Sequence, residues 1–166
     1  CTIGRIDKPY VPTLVNEILI IAKRLNKQKI LYCMIGDSPN RDDIQKIKNV
    51  LGSCSNLHCI LLGAIYPIPR NLLYEFDIFI SSAGSASLTS RLAIPTISID
   101  AKDYNAIGIM QIETQNSVFR DKEPIESISS KVLFLVNNYD RIKEKLNVVD
   151  EIDLDSILTS HIKYIS

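Results

Sequence analysis

Apolar residues recur at helical spacing between Pro12 and Leu25, at Leu14, Ile18, Ile21 and Leu25, with polar residues between them. That spacing predicts an amphipathic helix whose first turn accepts Pro12. The next run, Ile30 to Ile35, is continuously apolar and stops at Gly36-Asp37, the pattern of a short strand buried on both faces. Ile44, Ile47 and Leu51 return to helical spacing, with Asp42 and Asp43 in the first turn and Lys46 and Lys48 nearer the end, as the helix dipole favours. Leu57 to Leu62 reads as a second buried strand.

Pro67-Ile68-Pro69 then interrupts the chain, Asn71 to Glu75 predicts a short helix, and Asp77 to Ser81 predicts a third strand rich in β-formers. Ser85 to Leu92, after Gly84, is a short helix, and Thr96 to Ile99, after Pro95, is a fourth strand. Asp100 to about Asn116 shows little periodicity and reads as a loop. Pro124 opens a helix carrying Ile125, Ile128, Val132 and Leu135, and two more short helices are expected around Ile142 to Leu146 and Leu158 to Ile165. Strands alternating with helices imply βαβ units. The expected fold is therefore α/β: a single Rossmann-like, three-layer α/β/α domain with a parallel sheet.

Length agrees with this, since 166 residues suit one domain with its own core. With 46% hydrophobic and 23% charged residues, the chain is not disordered. Nineteen basic residues balance nineteen acidic ones, which removes the composition-level case for a nucleic-acid binder, so any anion must be met locally. The longest apolar stretches, Leu14 to Ala22 and Ile30 to Ile35, fall short of the roughly 20 residues a membrane span needs. Four cysteines form no CxxC pair, which favours a reducing, cytoplasmic setting. Any membrane association would then come through a longer protein. Cys54, His58 and Cys59 lack the spacing and the fourth ligand of a zinc site, so no metal and no cofactor are expected. The start, Cys1-Thr2-Ile3-Gly4-Arg5, has neither an initiator Met nor a signal-peptide order. It reads as a cut inside a larger protein, just before or within a strand.

In open α/β sheets, ligands bind beyond the carboxyl ends of the strands. Five stretches belong there: Gly4 to Lys8, Gly36 to Pro39, Gly63 to Pro67, Ser81 to Ser85, and Asp100 to Asn105. The fourth is the most informative. Small residues leave room, Gly84 lets the backbone approach closely, and the hydroxyls of Ser82, Ser85 and Ser87 can join helix-start amides around phosphate oxygens. The same residues equally suit a tight strand-to-helix turn with an N-cap serine. The chain contains no GxGxxG, GxxxxGK[ST] or GxSxG, and the strand ending Leu62-Gly63 lacks a phosphoacceptor Asp. Dinucleotide oxidoreductases, P-loop NTPases, serine hydrolases and receiver domains thereby recede.

The order of Gly4-Arg5-Ile6-Asp7-Lys8, Ile35-Gly36-Asp37-Ser38-Pro39, Leu62-Gly63-Ala64-Ile65, Asp77 to Ser85 and Ala93-Ile94-Pro95-Thr96 resembles the nucleotide-sugar-binding C-terminal half of GT-B glycosyltransferases of the group-1, family 4-like kind. The resemblance spans about Gly4 to Ile99. It implies transfer of a sugar from a nucleotide-diphosphate sugar to an acceptor hydroxyl, in polysaccharide or glycoconjugate biosynthesis. Residues 1–166 would be the donor-binding domain, with C-terminal helices over about 124–165. The N-terminal acceptor domain, absent from this chain, would take a glycan or lipid-linked sugar. By the same resemblance Arg5 and Lys8 neutralise the diphosphate, the backbone at Ala64 and Ile65 meets the nucleobase, and Gly36, Ser82, Gly84, Ser85 and Ser87 complete the donor contacts. No catalytic residue is implied. The two glutamates usual in family 4 fall on Ile80 and Leu88, and the glycine before the proline is Ala93; Ser82 to Ser85 is closer to the glycine-serine phosphate turn of other GT-B branches. Two other readings stand beside this one. One is a non-catalytic Rossmann-like module that binds a nucleotide or protein partner. The other is half of a nucleotide-sugar epimerase, for which Asp100, Asp103 and Glu113 are the available acids.

Overall fold

Short apolar runs and amphipathic segments fold largely where their periodicity puts them, and the computed structural model describes residues 1–149. The elements are β1 (Thr2–Ile3), α1 (Val11–Arg24), β2 (Ile30–Ile35), α2 (Arg41–Leu51), β3 (Leu57–Gly63), α3 (Arg70–Leu73), β4 (Phe79–Ser81), α4 (Ala83–Arg91), β5 (Thr96–Ile99), β6 (Ala106–Ile109), α5 (Ile128–Asn137) and α6 (Tyr139–Lys143). The helix expected over Leu158 to Ile165 lies outside the described residues. Among the described residues no helix is long and apolar enough to cross a membrane.

The strands form two three-stranded sheets, β1-β2-β3 and β4-β5-β6. All pairs are parallel except β5 with β6, which is antiparallel. That pair corrects the expectation of a wholly parallel sheet. The six residues from Asp100 to Asn105 turn tightly, with the Asp100 N–H donating to Asn105 O at 2.9 Å and the Tyr104 N–H to Asp100 O at 3.0 Å. So short a connection cannot hold a crossover helix, and only an antiparallel return remains. The sheets meet along β1 and β4, where the Ile80 N–H donates to Cys1 O at 2.9 Å and the Ile3 N–H to Ser81 Oγ at 3.1 Å.

Side chains alternate across the strands and feed two cores. Met34 and Ile80 join Leu14, Ile18, Leu51, Val132 and Leu135 on the side of α1, α2 and α5. Their sequence neighbours Cys33, Ile35 and Phe79 join Ile3, Leu73, Leu92 and Ile94 on the other side. Full burial of a Leu such as Leu14 contributes about 1.5–3 kcal/mol, so the Leu14 stripe alone ties α1 firmly to the sheet. Several element boundaries differ from expectation: α3 spans Arg70–Leu73 rather than Asn71 to Glu75, and α4 starts at Ala83 rather than Ser85. β4, expected from Asp77, starts at Phe79, and α6 ends at Lys143, before Leu146. α5 begins at Ile128, not Pro124, because Ser127 Oγ caps it by accepting the Ser130 N–H at 3.2 Å, while Glu126 is held extended by the Ala106 N–H at 2.9 Å.

Candidate functional site

The loops after β1, β2 and β3 border a cleft of about 460 Å³ at the carboxyl ends of those strands. The first loop supplies Gly4 and Arg5, the second Gly36 to Pro39, and the third Ala64, Ile65 and Ile68. Its floor depends on the absence of a side chain. A Cβ on Gly36 would lie 1.9 Å from Gly4 O, so the two backbones touch in a way only glycine permits. Three hydrogen bonds hold the loop starts together: Gly4 N–H to Ile35 O at 3.0 Å, Gly36 N–H to Gly63 O at 2.8 Å, and Ile6 N–H to Asp37 O at 3.0 Å.

Arg5 projects into solvent with its side chain 73% exposed and its Nε 3.2 Å from an Asp7 carboxylate oxygen. Lys8 turns back over the Tyr10 ring, 5.8 Å from its centroid, and its Nζ stands 3.9 Å from where a Gly4 Cβ would be. Lys8 therefore sits beside the Gly4 turn without lining the cleft. Beneath that turn the Tyr10 hydroxyl is buried and has no hydrogen-bond partner among the described residues. Burial pushes this phenol up to about 12, so it stays neutral at physiological pH.

The strand-to-helix turn after β4 is built differently from what its glycine suggests. Ser82 is the extended residue before α4, Ala83 takes the left-handed φ of 54°, and a Cβ on Gly84 would meet nothing within 4 Å. The space above Gly84 is open, and the fold does not use that glycine's freedom. Among the described residues the hydroxyls of Ser82, Ser85 and Ser87 make no hydrogen bond, which leaves them free for a ligand. The Ala83 N–H is not free: it donates to Ser117 O at 2.6 Å. A strap formed by the segment from Thr114 to Glu126 thus reaches the start of α4.

Several contacts fix this strap. Ser98 Oγ donates to Asn116 O at 2.9 Å, and the Ala101 N–H to Val118 O at 2.9 Å. Asp100 accepts the Arg120 N–H at 2.8 Å and the Lys102 N–H at 2.7 Å. The Arg120 guanidinium, 10% exposed, donates to Asp103 at 2.6 Å and to Ala106 O at 3.0 Å; its hydrogen bond holds the Asp103 carboxyl below its ordinary range. Glu123 accepts from Thr114 Oγ1, from the Asp121 N–H at 2.8 Å and from Asn116 Nδ2 at 2.9 Å. These bonds, the one from Thr114 foremost, lower it to about 2. Glu113 binds the Ile109 N–H at 2.9 Å and the buried Lys131 ammonium at 3.0 Å, with Glu126 on the same ammonium at 3.1 Å. Asp100, Asp103 and Glu113 are thus all engaged in holding the fold.

The cleft therefore gathers Arg5, Gly36, Ala64 and Ile65. Ser82, Gly84, Ser85 and Ser87 lie at the neighbouring end of β4, tied to β1 through the Ile3–Ser81 bond, while Lys8 sits beside the Gly4 turn in a groove with residues of α1 and α2. Asp37 and Ser38 also line the cleft; Asp37 Oδ1 accepts the Ser38 N–H at 2.8 Å, and Ser38 Oγ donates to Asp43 at 2.9 Å. An Asp-Ser-Pro-Asn run is a local turn signal that could have marked them as structured. The strap had no such signal, because the partners of Arg120 lie 14 to 20 residues away. Chemically, the cleft lining offers the Arg5 guanidinium, paired with Asp7, and loop peptide groups beside the Asp37 carboxylate, with Lys8 outside the lining and free hydroxyls at the start of α4; the guanidinium, amides and hydroxyls can hold an anion. Among the described residues no group of three His, Cys, Asp or Glu is arranged to hold a metal. Comparison of the chain with protein-family models, curated proteins and solved structures finds no match.

Proposed function

We propose that the chain is the donor-binding domain of a GT-B glycosyltransferase and takes a nucleotide-diphosphate sugar. The finer fold reading belongs to the same proposal: a Rossmann-like sheet in the order β3-β2-β1-β4-β5-β6, with helices on both faces. In such a sheet the ligand crevice falls where the strand order reverses, here between β1 and β4. The observation that carries the proposal is the cleft at the carboxyl ends of β1 to β3, with β1 hydrogen-bonded to Ser81 just before the serine-rich start of α4. On this reading the nucleobase meets the peptide groups at Ala64 and Ile65, and the diphosphate lies by Arg5 and Lys8 on one side and Ser82, Gly84 and Ser85 on the other. The sugar then points away from the cleft floor toward an acceptor domain outside this chain, which would supply the catalytic groups.

Titration of the chain with UDP, GDP and CDP, followed by amide NMR, tests the reading. Shifts at Gly36, Ala64, Ile65 and Gly84 at millimolar nucleotide are expected, since half a cleft buries only part of the ligand; no shift with any of the three refutes it. Arg5→Ala should weaken nucleotide binding. A charge-assisted contact is worth about 1.5–3 kcal/mol, but exposure and the Asp7 pairing reduce its yield. A loss of roughly threefold to tenfold is expected, with an unchanged melting temperature.

A further inference from the structure

β3 is an edge strand, and from Leu57 to Leu61 nothing in it defends that edge; the pairing with β2 shifts register only beyond Leu61, where Ile35 lies opposite Gly63. It pairs with β2 on one side, and among the described residues no strand lies on the other. Natural edges are guarded by Lys, Pro, bulges or a covering element, yet the exposed edge of Leu57–Gly63, sequence LHCILLG, has no charge and no proline. The alternation of its peptide groups can be read from one bond. The Ile30 N–H donates to Asn56 O at 2.8 Å, so in an evenly spaced parallel ladder His58 and Ile60 also face β2, and Leu57, Cys59 and Leu61 face outward. The Leu57 N–H is already taken by Cys54 O at 3.1 Å. The free outward donors are those of Cys59 and Leu61, which stand symmetrically about Ile60.

The same edge is apolar above the plane. Leu31, Ile60 and Leu62 are 56%, 36% and 40% exposed and share one face by register, with Leu31 opposite His58 and Cys33 opposite Ile60. On the opposite face α2 packs against β3 and carries Arg41, Asp42 and Asp43 at its start, one net negative charge, and Lys46 and Lys48 toward its end, with Lys46 4.0 Å from Asp43. α2 runs antiparallel to β3, as the helix of a crossover between parallel strands must. A second copy related by a two-fold axis through Ile60 would set its α2 antiparallel to this one. The acidic start of each helix would then face the basic end of the other. Its charge pattern is complementary to its own inverse.

We propose that β3 pairs antiparallel with β3 of a second copy about a two-fold axis at Ile60, joining two sheets into one. Cys59 of each copy exchanges both backbone hydrogen bonds with Leu61 of the other, Ile60 packs on Ile60, and the Asp42–Asp43 end of α2 meets Lys48 across the junction. This pairing does not depend on the donor-binding reading, because the carboxyl-end cleft stays open.

Sedimentation velocity over a concentration series, with hydrogen exchange on the same samples, tests it. The chain should move from monomer to dimer, and the Cys59 and Leu61 amides should gain protection in step with dimer formation. Ile60→Lys, at a partly exposed position, sets like charges opposite each other and should weaken the dimer by roughly tenfold or more without lowering the melting temperature at concentrations where both chains are monomeric. Lys48→Glu should weaken it less, and Lys48→Glu combined with Asp42→Lys should restore it. A chain that stays monomeric throughout overturns the proposal, including one whose Cys59 and Leu61 amides are protected at every concentration because a segment of the same chain covers the edge. So does a dimer that Ile60→Lys leaves intact. Failure of the charge-swap rescue overturns the two-fold register.

Discussion

Gly36→Ala offers a sharp test of how the cleft is built. The added methyl would sit 1.9 Å from Gly4 O, against ordinary contact from 3.4 Å, so the β1 and β2 loop starts must part by about 1.5 Å in a close-packed region. That separation strains the Gly4–Ile35, Gly36–Gly63 and Ile6–Asp37 hydrogen bonds together. Each buried pair left unmade costs about 1–3 kcal/mol; with partial relaxation we expect a loss of roughly 2–4 kcal/mol, in the range reserved for named structural damage. For a domain of this size that lowers the melting temperature by about 5–15 °C. Gly84→Ala is the matched control. Its methyl meets no atom within 4 Å and lies inside α4, so it should leave stability unchanged or raise it by about 0.5–1 kcal/mol through helix propensity. Urea unfolding of both variants, followed by circular dichroism, gives the comparison. If Gly36→Ala falls within about 0.5 kcal/mol of wild type, the Gly4–Gly36 contact is not what sets the cleft floor.

Two further outcomes follow from the strap and its neighbours. Glu123 sits at about 2, and Asp103 is held low by Arg120; a carboxyl depressed in the folded state adds stability above its unfolded value that is lost as pH falls through the folded one. Protection of the amides along Thr114 to Glu126, taken as the observed exchange relative to the intrinsic rate at each pH, should therefore fall as pH drops from about 4.5 toward about 2, and protection that stays constant across that window would contradict the pairing described. Lys131→Met should destabilise the domain by roughly 1–3 kcal/mol, because it leaves Glu113 and Glu126 without their shared ammonium. Adding Glu113→Gln and Glu126→Gln should recover part of that loss, and equal stability of single and triple variants in urea would show that the charges do not interact.

Most of the α/β order was readable because the signals were local. The Leu14-Ile18-Ile21 stripe, the unbroken Ile30–Ile35 run and the acid-to-base gradient of α2 each identify an element from within its own few residues. β6 was not readable, since Ala106–Ile109 is short, contains Gly108 and becomes a strand only by pairing with β5. Pro124 misled for a similar reason: it is a good helix opener, but the bridge from Ala106 to Glu126 fixes the chain as extended just before Ser127. At the candidate site, the glycine turns were legible as turns. Which glycine was sterically indispensable was not, because Gly36 owes that status to Gly4, a residue in another loop, whereas Gly84 stands in open space.

The bond from the Ala83 N–H to Ser117 O makes the strap a built-in surrogate for an anion at the head of α4. An external anion that claims this amide enters a competition rather than an empty seat. Its observed affinity is the intrinsic affinity multiplied by the fraction of molecules whose strap has let go. Any change that loosens Thr114 to Glu126, far from the amide itself, would then tighten such binding, and any change that stiffens the strap would weaken it. Ligands that use only Gly84, Ser85 and the free hydroxyls escape this competition. Strap variants would thus sort anions into those that reach the Ala83 amide and those that stop short of it.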